Sequence, residues 1–177
     1  LQWAEVHLQM SLDKAAMLQG VVAVGIIFGA IVVAGGISLK NSLKVLPMGI
    51  VMGLVIPAMT FVDDIEIAIF LLILIGALGG AFVVPMNALL QHRGHVILSA
   101  GQSIAAQNFN ENINILFMLG IYSLMIYVDL PVNNIIWIFG LFLSFTMSLV
   151  LWKYLKNKKE HNLNKLIGDK RSATMQN

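Results

Sequence analysis

Residues 67–90 read IAIFLLILIGALGGAFVVPMNALL, twenty-four positions without one charged side chain. As an α-helix, at about 1.5 Å per residue, this run is long enough to cross a hydrocarbon layer about 30 Å thick. It does not alternate between apolar and polar positions as a half-buried strand would. In lipid, a lone segment can satisfy its own backbone only by forming a helix. Four further stretches follow the same logic. Residues 15–37 are uncharged, with Gln19 as the one strongly polar side chain; 45–62 are shorter and carry Pro57; 96–128 are long with a polar middle; 134–155 are uncharged up to Trp152. The reading is an all-α membrane protein: a transmembrane bundle over 1–155 with five complete helices, then a basic tail over 156–177. Residues 1–10 read as the end of one more helix, with a short interfacial helix as the alternative.

The composition agrees. Of 177 residues, 58% are hydrophobic and 11% charged, with a mean hydropathy of +0.84 and no cysteine. A soluble domain carries roughly 25% charged residues, so too little polar surface remains here for a wet exterior. That excludes an ordinary soluble enzyme, a disordered chain and a disulfide scaffold. The chain opens at Leu1, which reads as other than a native start, and Glu5, His7 and Asp13 interrupt any signal-peptide run.

A net charge of +2 and a pI near 9.0, taken alone, would suit a nucleic-acid binder. The placement of the charges says otherwise. Ten of the eleven basic residues fall in 38–44 (Lys40, Lys44), 91–95 (Arg93) and the C-terminal segment (Lys153, Lys156, Lys158, Lys159, Lys165, Lys170, Arg171). Glu5, Asp13, Asp63, Asp64, Glu66 and Asp129 fall in the other connections. Strict alternation of five spans reproduces this segregation, and the positive-inside rule makes the basic side and the C-terminus cytoplasmic. Tyr127, Trp137, Trp152 and Tyr154 fall near the expected interfaces. The basic tail fits ordinary topological anchoring and also contact with anionic lipid head groups. No nucleic-acid partner is expected.

No P-loop, dinucleotide fingerprint or nucleophile elbow is present. His92 and His95 share a turn that lacks a third metal ligand, so neither a metal nor a cofactor nor catalysis is expected. The informative segment is 96–124, VILSAGQSIAAQNFNENINILFMLGIYSL. On a helix, Ser103, Gln107, Asn110, Glu111 and Asn114 share an arc of about 100°, with Asn108 at its flank. Gln102 and Asn112 lie outside it. Glu111 is the one ionisable residue inside any expected span. A central acid costs about 2.5–3.5 kcal/mol to insert, so it should face protein or a wet cavity. The face reads as the lining of a polar substrate path; interhelical packing by amide hydrogen bonds is the alternative. For Glu111, substrate contact and an interhelical bond both stay open.

Small residues supply packing seams: Gly25/Gly29, Gly49/Gly53 and Gly76/Gly80 are G-x-x-x-G pairs, and Gly101/Ala105 is a similar small pair. Such faces let helices approach closely. They serve static packing, and they also serve sliding in a moving protein. Pro57 and Pro85 are expected to bend their helices.

The stretches GALGGAFVVPMNALLQHRGH (76–95), SAGQSIAAQNFNEN (99–112) and FMLGIYSLMI (117–126) resemble the bacterial lysophospholipid transporter family of the major facilitator superfamily. The resemblance implies the second six-helix bundle of a twelve-helix fold, with the N-terminal half lying outside this chain. It also implies lysophospholipid substrates, especially lysophosphatidylethanolamine, moved to the cytoplasmic leaflet of a bacterial inner membrane. There an acyl-acyl carrier protein-dependent acyltransferase would reacylate them. The family's Q-N-x-x-E-N pattern appears as Gln107, Asn108, Glu111 and Asn112. Beside a non-transporting membrane scaffold, whose polar helix face would be dry and fully paired, two alternatives stay open. One is another major-facilitator carrier, such as a proton-coupled drug or solute transporter. The other is the membrane part of a bifunctional transporter-acyltransferase, although the H-x-x-x-x-D site of that enzyme is absent from these residues.

Overall fold

The computed structural model describes residues 2–37, 39–97 and 99–160. Among these the chain is helical without a strand. The elements are α1 (Gln2–His7), α2 (Leu12–Gly36), a 3₁₀ segment (Leu39–Val45), α3 (Leu46–Ala58), a 3₁₀ turn (Met59–Phe61), α4 (Ile65–Ile97), α5 (Ala100–Tyr127) and α6 (Val132–Glu160). Five stretches are long and apolar enough to cross a membrane: Leu12–Gly36, Asn41–Phe61, Ile65–Gly94, Gly101–Tyr127 and Val132–Asn157. The protein is a multi-pass membrane protein.

Burial is inverted relative to a soluble domain. The buried positions of α2 are Ala15, Leu18, Gly25, Gly29 and Val33, a stripe at helical spacing made mostly of small side chains. Large side chains such as Phe28, Ile31, Phe70, Leu116 and Phe145 point outward. In water so much contiguous apolar surface would drive association, whereas lipid solvates it. With no hydrophobic gain between helices, close backbone approach supplies the packing energy.

The closest pairings are α2 with α4 and α3 with α6, joined through contacts of α3 with α4. In the first seam a Cβ on Gly25 would collide with the Ile73 carbonyl, and one on Gly29 with the Ala77 backbone. Reciprocally, Gly76 lies on Val22 and Gly80 on Ile26. In the second seam Gly53 meets Ser144, and a Cβ on Gly140 would lie 2.6 Å from Pro57 Cδ and 2.8 Å from the Gly53 carbonyl. Gly49 meets side chains rather than backbone, the flexible Met147 and the Phe82 ring. The pair Gly101/Ala105 behaves differently. Both residues are exposed, and nothing lies within 4 Å of a Cβ at Gly101. The spacing is right but no helix among the described residues faces it.

Helix ends depart from the apolar limits. The fourth helix does not stop at Leu90: α4 continues through the expected turn at 91–95 to Ile97 and passes Pro85 without a break in its α-helical run. Correspondingly, Val96 belongs to α4 and the polar helix starts at Ala100. Polar side chains mark where a helix leaves lipid, but only a breaker or a cap ends it. Ser99 provides that cap, with its hydroxyl accepting from the Gln102 amide and the Gln102 side chain accepting from the Ser99 N–H, each at 3.4 Å. Gln102, outside the polar arc, thus has a structural job. The α-helix runs through Pro57 to Ala58 and then tightens into the 3₁₀ turn. The basic tail beyond Glu160, with Lys165, Lys170 and Arg171, lies outside the described residues, as do Leu1, Ser38, Leu98 and His161.

Candidate functional site

Helix α5 carries the polar arc, and its surroundings set its chemistry. Its first turns lean on the end of α4, where Gly94 leaves room for the Ser103 hydroxyl; a Cβ at Gly94 would overlap it. Ser103 and Gln107 are consequently buried, at 8% and 9% exposure. One turn further, Asn110, Glu111 and Asn114 are exposed, as is Asn108 at the flank. The arc therefore has a dry edge against α4 and an open centre.

Hydrogen bonds order the face from within. Gln107 Nε2 donates to Glu111 Oε1 at 3.0 Å across one helical turn. An ionised carboxylate only accepts, so Gln107 must offer its amide nitrogen to Glu111 and turn its carbonyl away. That carbonyl, Oε1, is buried without a partner among the described residues. Asn114 Nδ2 donates to the Asn110 carbonyl at 2.8 Å, and Asn112 Nδ2 to the Asn108 carbonyl at 2.8 Å. These bonds stay inside one helix. They hold the amides in place without joining α5 to a neighbour; Asn114 Nδ2 also reaches Asn110 Oδ1 at 3.4 Å, and Asn110 and Glu111 remain exposed at the open centre.

The rest of α5 is scarcely packed. Ile104, Phe109, Ile113, Ile115, Leu116, Phe117 and Leu119 are exposed, and Gly120 has nothing within 4 Å. Near its other end the Tyr122 hydroxyl donates to Gln2 Oε1 of α1. Thus α5 is tied at both ends and bare between them. Among the described residues no group of three His, Cys, Asp or Glu comes together to hold a metal, and His92 is exposed on α4.

Several working residues lie outside the expected set. Ser144 Oγ donates to the Ile50 carbonyl at 2.9 Å and locks α6 onto α3, while Ser148 Oγ bonds its own helix at Ser144 at 2.7 Å. Gly140, Ser144 and Ser148 repeat at four-residue spacing, a small-residue stripe legible once serine is counted as small. Trp137 Nε1 donates to Thr60 Oγ1 at 3.2 Å, and its ring meets Phe61 edge-on at 5.9 Å. His7 Nε2 lies 3.7 Å from Asp63 and its ring stacks on Trp3, pinning α1 to the acidic end of the bundle.

Comparison with known proteins adds the decisive observation. The chain is 43% identical over 132 residues to the lysophospholipid transporter LplT of Yersinia pestis (strain Pestoides F) and, equally, to that of Yersinia pseudotuberculosis serotype O:3 (strain YPIII). Over most of its length the chain is a homologue of lysophospholipid transporters. The match covers 73% of this chain and 32% of each relative, so the chain spans about a third of the length of the curated relatives it matches. No family model and no solved structure matches it.

Proposed function

We propose that this chain forms part of a transporter that moves lysophospholipids, lysophosphatidylethanolamine above all, to the cytoplasmic leaflet of a bacterial inner membrane. The observation that carries this reading is the α5 face. A single carboxylate, Glu111, stands exposed midway along a membrane helix, steadied by Gln107, whose buried carbonyl has no donor among the described residues. Each such unmet acceptor costs about 1–3 kcal/mol, which a substrate N–H, water or a facing helix would recover. A scaffold without transport would present a closed and fully paired face instead.

A lysophospholipid has a polar head and one acyl chain. Its head needs a hydrogen-bonding path through the bilayer while its tail remains in apolar surroundings. Ser103, Gln107, Asn110, Glu111 and Asn114 line such a path, with Asn108 at its rim, and the exposed Phe109, Ile113 and Leu116 offer the apolar side. Glu111 pairs with the ammonium of an ethanolamine head. The relatives are about three times longer than their match to this chain. Their remaining length, as the N-terminal half of a two-bundle major-facilitator fold, would face α5 and complete the path. The two halves would rock against each other for alternating access. By the positive-inside rule the end of the bundle bearing Arg93 and the C-terminus face the cytoplasm. There an acyl-acyl carrier protein-dependent acyltransferase would consume the product.

The test is uptake of lysophosphatidylethanolamine by vesicles containing the intact protein and its Glu111→Gln variant. Loss of a charge-assisted bond should lower uptake roughly tenfold at equal expression, with Glu111→Asp partly active. Unchanged uptake in Glu111→Gln would overturn the role of the charge. Absence of lysolipid uptake by the unmodified protein, with efflux of a cationic drug in its place, would overturn the substrate.

A further inference from the structure

A crevice of about 340 Å³ opens at the acidic end of the bundle, away from the centre of the α5 face. It lies between α1 and the turn from α5 to α6, and its walls include Gln2, Val6, Ile126, Asp129, Leu130 and Asn133. The volume is within the range of small-ligand sites, about 300–1,000 Å³. The lining is divided by chemistry. Val6, Ile126 and Leu130 form an apolar wall. The Tyr122 hydroxyl occupies Gln2 Oε1, which leaves the Gln2 amide nitrogen as the free end and makes it a donor. Asn133 supplies a second amide with no side-chain partner among the described residues. Asp129 supplies the one charge in the lining and has no ion-pair partner among the described residues.

The backbone accounts for the residue type at 129 but not for its charge. Asp129 sits at φ 55°, in the left-handed region, and closes α5 by donating its N–H to the Ile126 carbonyl at 3.0 Å. Asparagine takes that conformation as readily as aspartate. A carboxylate is therefore dispensable for the turn, and it shares the crevice lining with two side-chain amides and an apolar wall. Two donors, one carboxylate and an adjoining apolar surface complement a zwitterionic phosphoethanolamine head above the start of its acyl chain.

We infer that this crevice is the reception site where the transporter takes a lysophosphatidylethanolamine head from the outer leaflet. Asp129 holds the ammonium, and Gln2 and Asn133 donate to the phosphate oxygens. The inference rests on the transport reading above and extends it: selection of the ammonium begins at the membrane surface, before the head reaches Glu111. The site is open to water, so its ion pair is weak.

Uptake is compared for lysophosphatidylethanolamine and lysophosphatidylglycerol, which lacks the ammonium, in the intact protein and its Asp129→Asn variant. The expected result is a rise of about two- to fivefold in KM for the ethanolamine lipid. Its kcat, and both constants for the glycerol lipid, should stay unchanged. A Gln2→Ala variant should raise KM for both lipids, because both carry the phosphate. If Asp129→Asn leaves the ratio of the two KM values unchanged while the unmodified protein transports, the crevice has no role in reception. If the unmodified protein moves neither lipid, the transport reading falls and takes the crevice with it. Equal loss for both lipids with lower thermal stability would make Asp129 a turn residue only.

Discussion

Helices α4 and α5 follow one another directly and meet the rest of the molecule in opposite ways. On α4, Gly76 and Gly80 bring its backbone against α2 so tightly that no Cβ fits. On α5, Ser103 and Gln107 are the buried side chains among the described residues, and a glycine midway along it touches nothing. Both helices are long enough to span a bilayer. The difference lies in what each was composed to meet. A seam of glycine fits another backbone, whereas a face of amides around one carboxylate fits something polar that the described residues do not supply. Stability should reside in the first and transport in the second, and substitutions can separate the two.

The largest effect belongs to the α2–α4 seam. Gly29→Leu places a branched side chain where even a Cβ would collide with Ala77 backbone. Neither helix can yield without breaking the neighbouring contacts at Gly25 and Gly80. The expected cost is about 3 kcal/mol or more, seen as loss of a monodisperse peak in detergent or a collapsed thermal transition. A stable Gly29→Leu protein would show that the seam slides apart easily, and the contrast between the helices would lose its basis.

The counterpart on α5 is Gly120→Ala. With open space around the position, the methyl group has nothing to displace, and alanine favours the helix over glycine by up to about 1 kcal/mol. Thermal stability of the chain should stay level or rise slightly. If in the intact protein the same change lowers uptake without lowering stability, a moving partner surface passes over Gly120 and the comparison sharpens. If it destabilises the isolated chain, α5 is packed in a way its exposure denies.

How much of this was legible in the sequence follows from the same contrast. Apolar length and charge segregation identify spans, because the bilayer imposes both. Gly25, Gly29, Gly76 and Gly80 could be read as seams because four-residue spacing places them on one helical face. The identical spacing of Gly101 and Ala105 misleads, since spacing names a face and says nothing of its neighbour. The ends of α4 and α5 were misplaced because Gln91, His92 and Arg93 leave the lipid without leaving the helix, while Ser99 and Gln102 carry the actual boundary in a capping box. The α3–α6 seam was half-visible. Gly49 and Gly53 announced one side, but its partners Gly140 and Ser144 include a hydroxyl that reads as polar until it is seen tucked against Ile50. Polar clustering on α5 was legible in the sequence as one helical face. Its division into a dry edge at Ser103 and Gln107 and an open centre at Glu111 was not, because that division depends on where α4 ends.

The smallest effects test whether serine in a seam acts as a small residue or as a donor. Ser144→Ala keeps the close approach to Gly53 and removes the bond to the Ile50 carbonyl. Interhelical hydrogen bonds in membranes average only ~0.6 kcal/mol, so a loss of that order is expected. Ser148→Ala removes a bond that stays within α6, and its cost should be close to zero because the freed carbonyl at Ser144 keeps its helical partner. Measured side by side by unfolding in mixed micelles, the two variants share volume change and helix and differ only in whether the bond crosses the seam. A cost for Ser144→Ala well above that of Ser148→Ala assigns part of the seam's cohesion to hydrogen bonding. Equal costs assign it to backbone packing alone, which would make the α3–α6 seam the same kind of contact as the glycine seam of α2 and α4.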